Sequence, residues 1–117
     1  MNDQSLTLAI IGHLAGDYLL QNDWMAMNKK KSPLACAAHC VLWTATVCLF
    51  AGWISPIAIG VLFATHFIQD HTAIIRWYMK VNRQDAFATG PCAPWSIIVV
   101  DNVWHIVTIA AVWRFAV

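Results

Sequence analysis

The stretch His13-Leu-Ala-Gly-Asp17-Tyr-Leu-Leu-Gln21 places an imidazole and a carboxylate four residues apart inside an apolar run. On a helix, positions i and i+4 share one face, one turn apart. Gln21 carries the stripe one turn further. A His and an Asp in apolar surroundings cost free energy unless something pairs with them. The same spacing recurs at His66-Phe-Ile-Gln-Asp70 and, reversed, at Asp101-Asn-Val-Trp-His105. Three such pairs on three separate apolar segments need a common explanation, and the simplest is that the segments meet.

The surroundings of these pairs set the solvent. Hydrophobic residues make up 60% of the chain and charged residues 11%, with mean hydropathy +0.59. Average soluble chains carry about 25% charged residues, so these values define an integral membrane protein. Glu is absent, and three of the six acids, Asp17, Asp70 and Asp101, lie in the His/Asp pairs. A net charge of +1 gives no basis for a nucleic-acid partner. The four Cys show no CxxC pair and no framework spacing. They read as small packing residues, with Cys36 within reach of His39 as an accessory ligand. The first apolar run lacks a basic start, so no cleavable signal peptide is expected.

A membrane span needs about 20 mostly apolar residues. Four segments fit, at about 5–22, 33–53, 56–79 and 95–116. Ser32-Pro33 and Ser55-Pro56 are helix starts, with Ser as cap and Pro in the first turn. Gly52 and Ser55-Pro56 mark a tight turn, and Lys80 to Pro94 reads as a loop. Short connections make successive helices antiparallel neighbours. The expected fold is therefore all-α: a single domain forming a four-helix transmembrane up-down bundle. Gly12 and Gly16 stand four apart on the first span, where they permit close helix packing.

Basic residues set the orientation. Lys29, Lys30 and Lys31 follow the first span, and Lys80 and Arg83 follow the third. Both loops are expected on the cytoplasmic side of the inner membrane, with both termini outside. Trp24, Trp77 and Trp95 then line the cytoplasmic interface, and Trp53 and Trp113 the outer one. In this frame Asp17, His39, Asp70 and Asp101 lie roughly 9–12 Å inside the cytoplasmic boundary, at about 1.5 Å per residue. His13, His66 and His105 lie about one turn deeper. Seven ionisable side chains from four helices thus share one slab, which hydrophobic patterning alone does not require.

Ionisable groups inside a membrane usually face the bundle interior and mark function. Three carboxylates together in low dielectric repel, and a divalent cation removes the repulsion. His13, Asp17, His39, His66, Asp70, Asp101 and His105 are therefore the candidate ligands of one or two divalent transition metals. Imidazole and carboxylate suit Zn best, with Mn or Fe as alternatives. Two ions bridged by a carboxylate would use seven groups better than one. The Glu-x-x-His of di-iron bundles is absent. His71 points about 100° away from Asp70 and stays outside this set. Arg76 and Lys80 lie between the site and the cytoplasm, where snorkelling and positive-inside topology account for them and a bound phosphate is the alternative.

The run from His13 through Gln21 to Asn22-Asp23-Trp24 resembles the opening signature of small bacterial and phage membrane proteins grouped as domain of unknown function family 3307. His39, His66-x-x-x-Asp70 and Asp101-x-x-x-His105 are similar to that family's later blocks. The resemblance spans nearly the whole chain. It implies a membrane fold in which these positions matter, and no reaction. The His/Asp layout is also similar to that of small membrane proteins labelled metal-dependent hydrolases, an analogy only.

The leading functional expectation is a metal-dependent hydrolase acting on a lipid or phosphoester, with Asp17 or Asp70 as general base where it is not a ligand. A proton or metal transporter is the alternative, although the outer half of the spans offers few polar groups to continue a path. A third reading is a non-catalytic bacterial or phage membrane protein that holds a structural metal and acts through a partner. So small a bundle is compatible with a homodimer, but no interface is identifiable in the sequence.

Overall fold

A computed structural model describes residues 3–117, with side chains described from residue 4 onward. The described chain is helical throughout and contains no strand. In order it forms α1 (Asp3–Leu14), a π-helical segment (Ala15–Leu19), α2 (Asp23–Asn28), α3 (Pro33–Ala51), α4 (Pro56–His71), α5 (Ile74–Val81), α6 (Asp85–Thr89) and α7 (Trp95–Phe115). α1 lies against α3 and α7, and α4 closes the ring by contacting the same two helices. Helices α3 and α7 are each long and apolar enough to cross a membrane. α4 and α5 make a third such segment if taken together.

The sequence writes most helix boundaries. Ser32 and Ser55 cap α3 and α4, their hydroxyls accepting from the amides of Ala35 and Ala58, and Pro follows each. Asn22 caps α2 in the same way through Met25. α3 ends at Gly52, whose φ of 73° is a left-handed conformation that favours glycine. Ser55 also donates to the Ala116 carbonyl, joining the α3–α4 turn to the end of α7.

Three features depart from the expected pattern. The third span, expected straight over 56–79, bends by 73° between α4 and α5. At the break Thr72 is extended and its hydroxyl bonds back to the Ile68 carbonyl. That local bond competes with helix continuation. The first span is regular only to Leu14, and Ala15–Leu19 then widen into a π-helical turn with Leu20 N–H donating to the Ala15 carbonyl. Such turns often occur at functional sites. The loop from Lys80 to Pro94 contains a short helix, α6, tied to α5 by Arg76 and Asp85.

The core is a cluster of Ala9, Trp43, Val47, Trp53, Ala58, Leu62, Ile109 and Val112. Close contact between α1 and α3 depends on two glycines. A Cβ at Gly12 would meet the Thr46 carbonyl oxygen and Val47 Cα at 3.0 Å, and one at Gly16 would meet Trp43 Cδ1 at 2.9 Å. Trp43 is 1% exposed and stacks on His66, so it has nowhere to move. Gly60 has open space around it. Gly16→Ala should therefore destabilise the protein by about 1–3 kcal/mol, whereas Gly60→Ala should be neutral or slightly stabilising. Thermal unfolding in a mild detergent measures both, and equal melting temperatures for the two variants would remove this account of α1–α3 packing.

Candidate metal centre

His13 comes from α1, Asp17 from the π-helical segment, His39 from α3, His66 and Asp70 from α4, and Asp101 and His105 from α7. The four imidazoles and Asp70 are almost wholly buried, while Asp17 and Asp101 keep 12% and 28% side-chain exposure. Their donor atoms gather into two sets that share Asp70: Asp17, His39, His66 and Asp70 in one, and Asp70, Asp101 and His105 in the other.

In the first set, His39 Nε2 lies 2.9 Å from Asp17 Oδ1, 3.1 Å from Asp70 Oδ2 and 3.0 Å from His66 Nε2. His66 Nε2 lies 3.4 Å from Asp17 Oδ1 and 3.1 Å from Asp70 Oδ2. A tetrahedral ion with ligands at 2.0–2.1 Å places neighbouring ligand atoms about 3.3 Å apart, and the observed spacings centre near that edge length. Asp17 Oδ1 makes no directed hydrogen bond despite these contacts. Two ring nitrogens at 3.0 Å, both turned toward carboxylate oxygens, suit ligands around a shared point. The same contact also fits one ring N–H donating to the other ring's bare nitrogen.

The second set is built on the other oxygen of Asp70. His105 Nδ1 donates to the Asp101 carbonyl at 2.6 Å, which leaves Nε2 to face Asp70. That atom sits 3.3 Å from Asp70 Oδ1 and has no hydrogen-bond partner. Facing a carboxylate oxygen, this nitrogen is compensated either by a proton of its own, donated to Asp70, or by a bound cation. The buried cluster can hold a metal ion through either set.

His13 stands differently from the other three imidazoles. Its Nδ1 accepts from Trp43 Nε1–H at 3.1 Å, so the proton sits on Nε2 and is donated to Asn102 Oδ1 at 2.6 Å. Both nitrogens are engaged, and His13 joins neither donor set, although Nδ1 is 3.5 Å from Asp17 Oδ2. Its ring stacks near that of His105, with centroids 5.5 Å apart. Cys36 Sγ faces the Phe67 carbonyl and Cys40 Sγ and also lies outside both sets. His71 Nδ1 donates to the Lys29 carbonyl at 2.7 Å.

Four participants were not found by reading the sequence. Trp43 stacks on His66 with ring centroids 3.8 Å apart while fixing the His13 tautomer. The signal was present, since Trp43 follows His39 by one helical turn. Asn102 follows Asp101 directly and serves His13 instead. Lys29 donates to Asp70 Oδ2 at 3.1 Å, and Lys30 to the carbonyls of Asp70 and Thr72 at 2.8 and 3.2 Å. The expected topological role of these lysines gave no hint of such contacts. Burial opposes the charge on Lys29, but Asp70 and then Asp17 outweigh it and hold its pKa above the ordinary lysine value.

A cavity of about 380 Å³ opens beside the cluster. Asp70 and Asp101 reach its wall, Lys29, Lys30 and Arg76 stand around it, and Ile75, Ile97 and Ile98 supply its apolar side. Asp17 is not among the lining residues.

Fold and site together define an all-helical protein with candidate membrane-crossing helices around a buried His/Asp cluster. Residues 5–117 match the family described as "Protein of unknown function (DUF3307)", and the chain belongs to that family. Comparison with curated proteins and with solved structures gives no match.

Replacing Trp43 with Phe keeps an aromatic ring against His66 and removes the donor to His13. The loss should cost about 1–3 kcal/mol. Nitrogen chemical shifts of the His13 ring should show the Nε2–H tautomer in the parent and a mixture in the variant. An unchanged spectrum would rule out Trp43 as the group that sets the tautomer.

Proposed function

We propose that this protein is a small metal-dependent hydrolase of the inner membrane. In this reading the helical ring is a four-helix up-down transmembrane bundle with both termini outside. The first span is α1 with its π-helical extension, and α3, α4 and α7 are the others. α5 then lies near the cytoplasmic interface, because Ile75 and Met79 face inward while Ile74, Trp77 and Val81 are exposed beside Arg76 and Lys80. Fusions of a compartment-sensitive reporter should be active outside when placed at either terminus and inside when placed within Lys29–Lys31. A loop reporter found outside would invert the orientation and the face to which the cavity opens.

The observation that carries the metal reading is the spacing of four ligand atoms from Asp17, His39, His66 and Asp70. Four protein ligands make a closed position of the kind used structurally. The second set offers three, and two of its members are around a cavity. Three protein ligands and one open position is the pattern of catalytic zinc. Asp70 would bridge the two positions, one oxygen to each. Zn fits the donor types best, with Mn or Fe as alternatives. An ion at the open position would lower the pKa of bound water to about 7 and polarise an ester or phosphoester oxygen. A general-base role for Asp17 has little support, because it stays out of the cavity wall, and both oxygens of Asp70 already face imidazoles. The apolar cluster of Ala9, Val47, Leu62, Ile109 and Val112 fills the core beyond the site, which disfavours a transport path.

His39→Ala and His66→Ala should each lower metal content and melting temperature, and chelation should lower the melting temperature of the parent. An ion present at a hundred times its dissociation constant contributes about 2.7 kcal/mol. His71→Ala should leave metal content unchanged, and His13→Gln should lower it less than His66→Gln. Elemental analysis and thermal unfolding in detergent read all of these. Purified protein without stoichiometric metal, melting identically with and without chelator, would leave the cluster as a hydrogen-bonded polar core and end the hydrolase reading.

A further inference from the structure

The cavity beside the cluster combines features that a metal site alone does not need. Its wall brings together three cationic side chains, two carboxylates of the cluster and three isoleucines. The cations differ in how their charge is met. Arg76 is paired with Asp85 at 2.8 Å, and Lys29 with Asp70 at 3.1 Å. Lys30 donates only to the carbonyl oxygens of Asp70 and Thr72. Among the described residues its ammonium therefore has no carboxylate partner, and it is solvent-exposed at the mouth. With Arg76 offset by Asp85, the ammoniums of Lys29 and Lys30 are matched in number by the carboxylates of Asp70 and Asp101, so the cavity wall is near neutral as it stands. One divalent ion at the cluster would make it positive and attractive to an anion.

The rest of the wall includes apolar side chains. Ile75 is buried, and Ile97 and Ile98 are progressively more exposed along α7. Trp24, Trp77 and Trp95, at the same end of the bundle, are 49%, 62% and 70% exposed. Exposed Trp is typical of the membrane–water interface. A ligand occupying this cavity would meet both positive charge and hydrocarbon.

We propose that the cavity binds the phosphate of an anionic amphiphile, a lipid phosphomonoester or phosphodiester, as the substrate of this protein. The phosphate lies among Lys29, Lys30 and Arg76, next to Asp70 and Asp101, and the hydrocarbon follows Ile75, Ile97 and Ile98. Lysine and arginine are the usual phosphate partners, through charge-assisted hydrogen bonds. The volume, about 380 Å³, admits a headgroup and the start of a chain rather than a whole lipid. The remainder would stay in the bilayer, which suits a cavity at the interface. The role as substrate rests on the hydrolase reading, whereas the binding itself does not.

The test uses the full chain in micelles of an uncharged maltoside, with metal content measured on every sample. Titration calorimetry compares dihexanoyl phosphatidic acid, inorganic phosphate and dihexanoylglycerol. Phosphatidic acid should bind at least about ten-fold more tightly than inorganic phosphate, and the uncharged glyceride should show no saturable binding. Lys30→Gln and Arg76→Gln should each weaken phosphatidic acid binding about ten-fold, the scale of one charge-assisted contact. Lys30→Arg should restore it, and metal content should stay at the parent level in all three. Equal binding of phosphatidic acid and glyceride would overturn the phosphate site. Equal binding of phosphatidic acid and free phosphate would overturn the amphiphile. Parent-like affinity in both Lys30→Gln and Arg76→Gln would overturn the assigned residues. Lysine-dependent binding by protein that holds no metal would support this site while removing the metal centre.

Discussion

The carboxylate of Asp70 is the group on which the site depends. It is 2% exposed, and each of its oxygens serves different partners. Oδ2 lies 3.1 Å from His39, His66 and Lys29, and Oδ1 lies 3.3 Å from His105. A buried carboxylate without compensation is among the most destabilising features a fold can contain. Compensation here comes from α3, α4, α7 and the segment after α2 at once. Helices that would otherwise meet only through apolar packing are fixed in rotation and depth by one charge. The same carboxylate is the single member common to both sets of ligand atoms.

The surrounding fold is arranged so that this convergence can form. Gly12 and Gly16 remove side chains where α1 meets α3, which lets Trp43 sit flat on His66 and reach His13. The π-helical turn then carries Asp17 toward His39 while His13 turns to Trp43 and Asn102. His13 and Asp17 stay 3.5 Å apart but serve different partners. The helix-terminal carbonyls released by the bend at Thr72 are taken up by Lys30 rather than left bare. Cation and helix C-terminus also suit each other electrostatically. The bend, the lysine segment and the start of α7 together leave an opening at one side of an otherwise closed cluster.

Much of this was legible in the sequence because it follows from local rules. Apolar run lengths, Ser-Pro starts and Gly52 set the helices, since capping and left-handed turns depend on residues only a few positions apart. The i, i+4 spacing of each His/Asp pair put both groups on one helical face, and equal depth across the segments identified the slab. Those relations hold for any packing that buries the pairs, so Asp17, His39, His66, Asp70, Asp101 and His105 could be singled out from the sequence.

Tertiary structure alone decided how the seven residues divide. Helical periodicity gives a side chain's direction to within tens of degrees, whereas a ligand set depends on ångström-scale positions from helices remote in sequence. Hence His13 reads as equivalent to His66 along the chain, yet hydrogen bonds from Trp43 on α3 and to Asn102 on α7 occupy both its nitrogens. The bend between α4 and α5 was hidden for a similar reason. Composition favours one long apolar run from Pro56 to Met79, while the break is stabilised by Lys30, a residue more than 40 positions earlier in the chain. The sequence by itself determined which side chains must be brought together, because burying each pair alone is too costly. Which oxygen faces which nitrogen, and that the cluster opens to a cavity rimmed by Lys29, Lys30 and Arg76, depended on packing between distant segments.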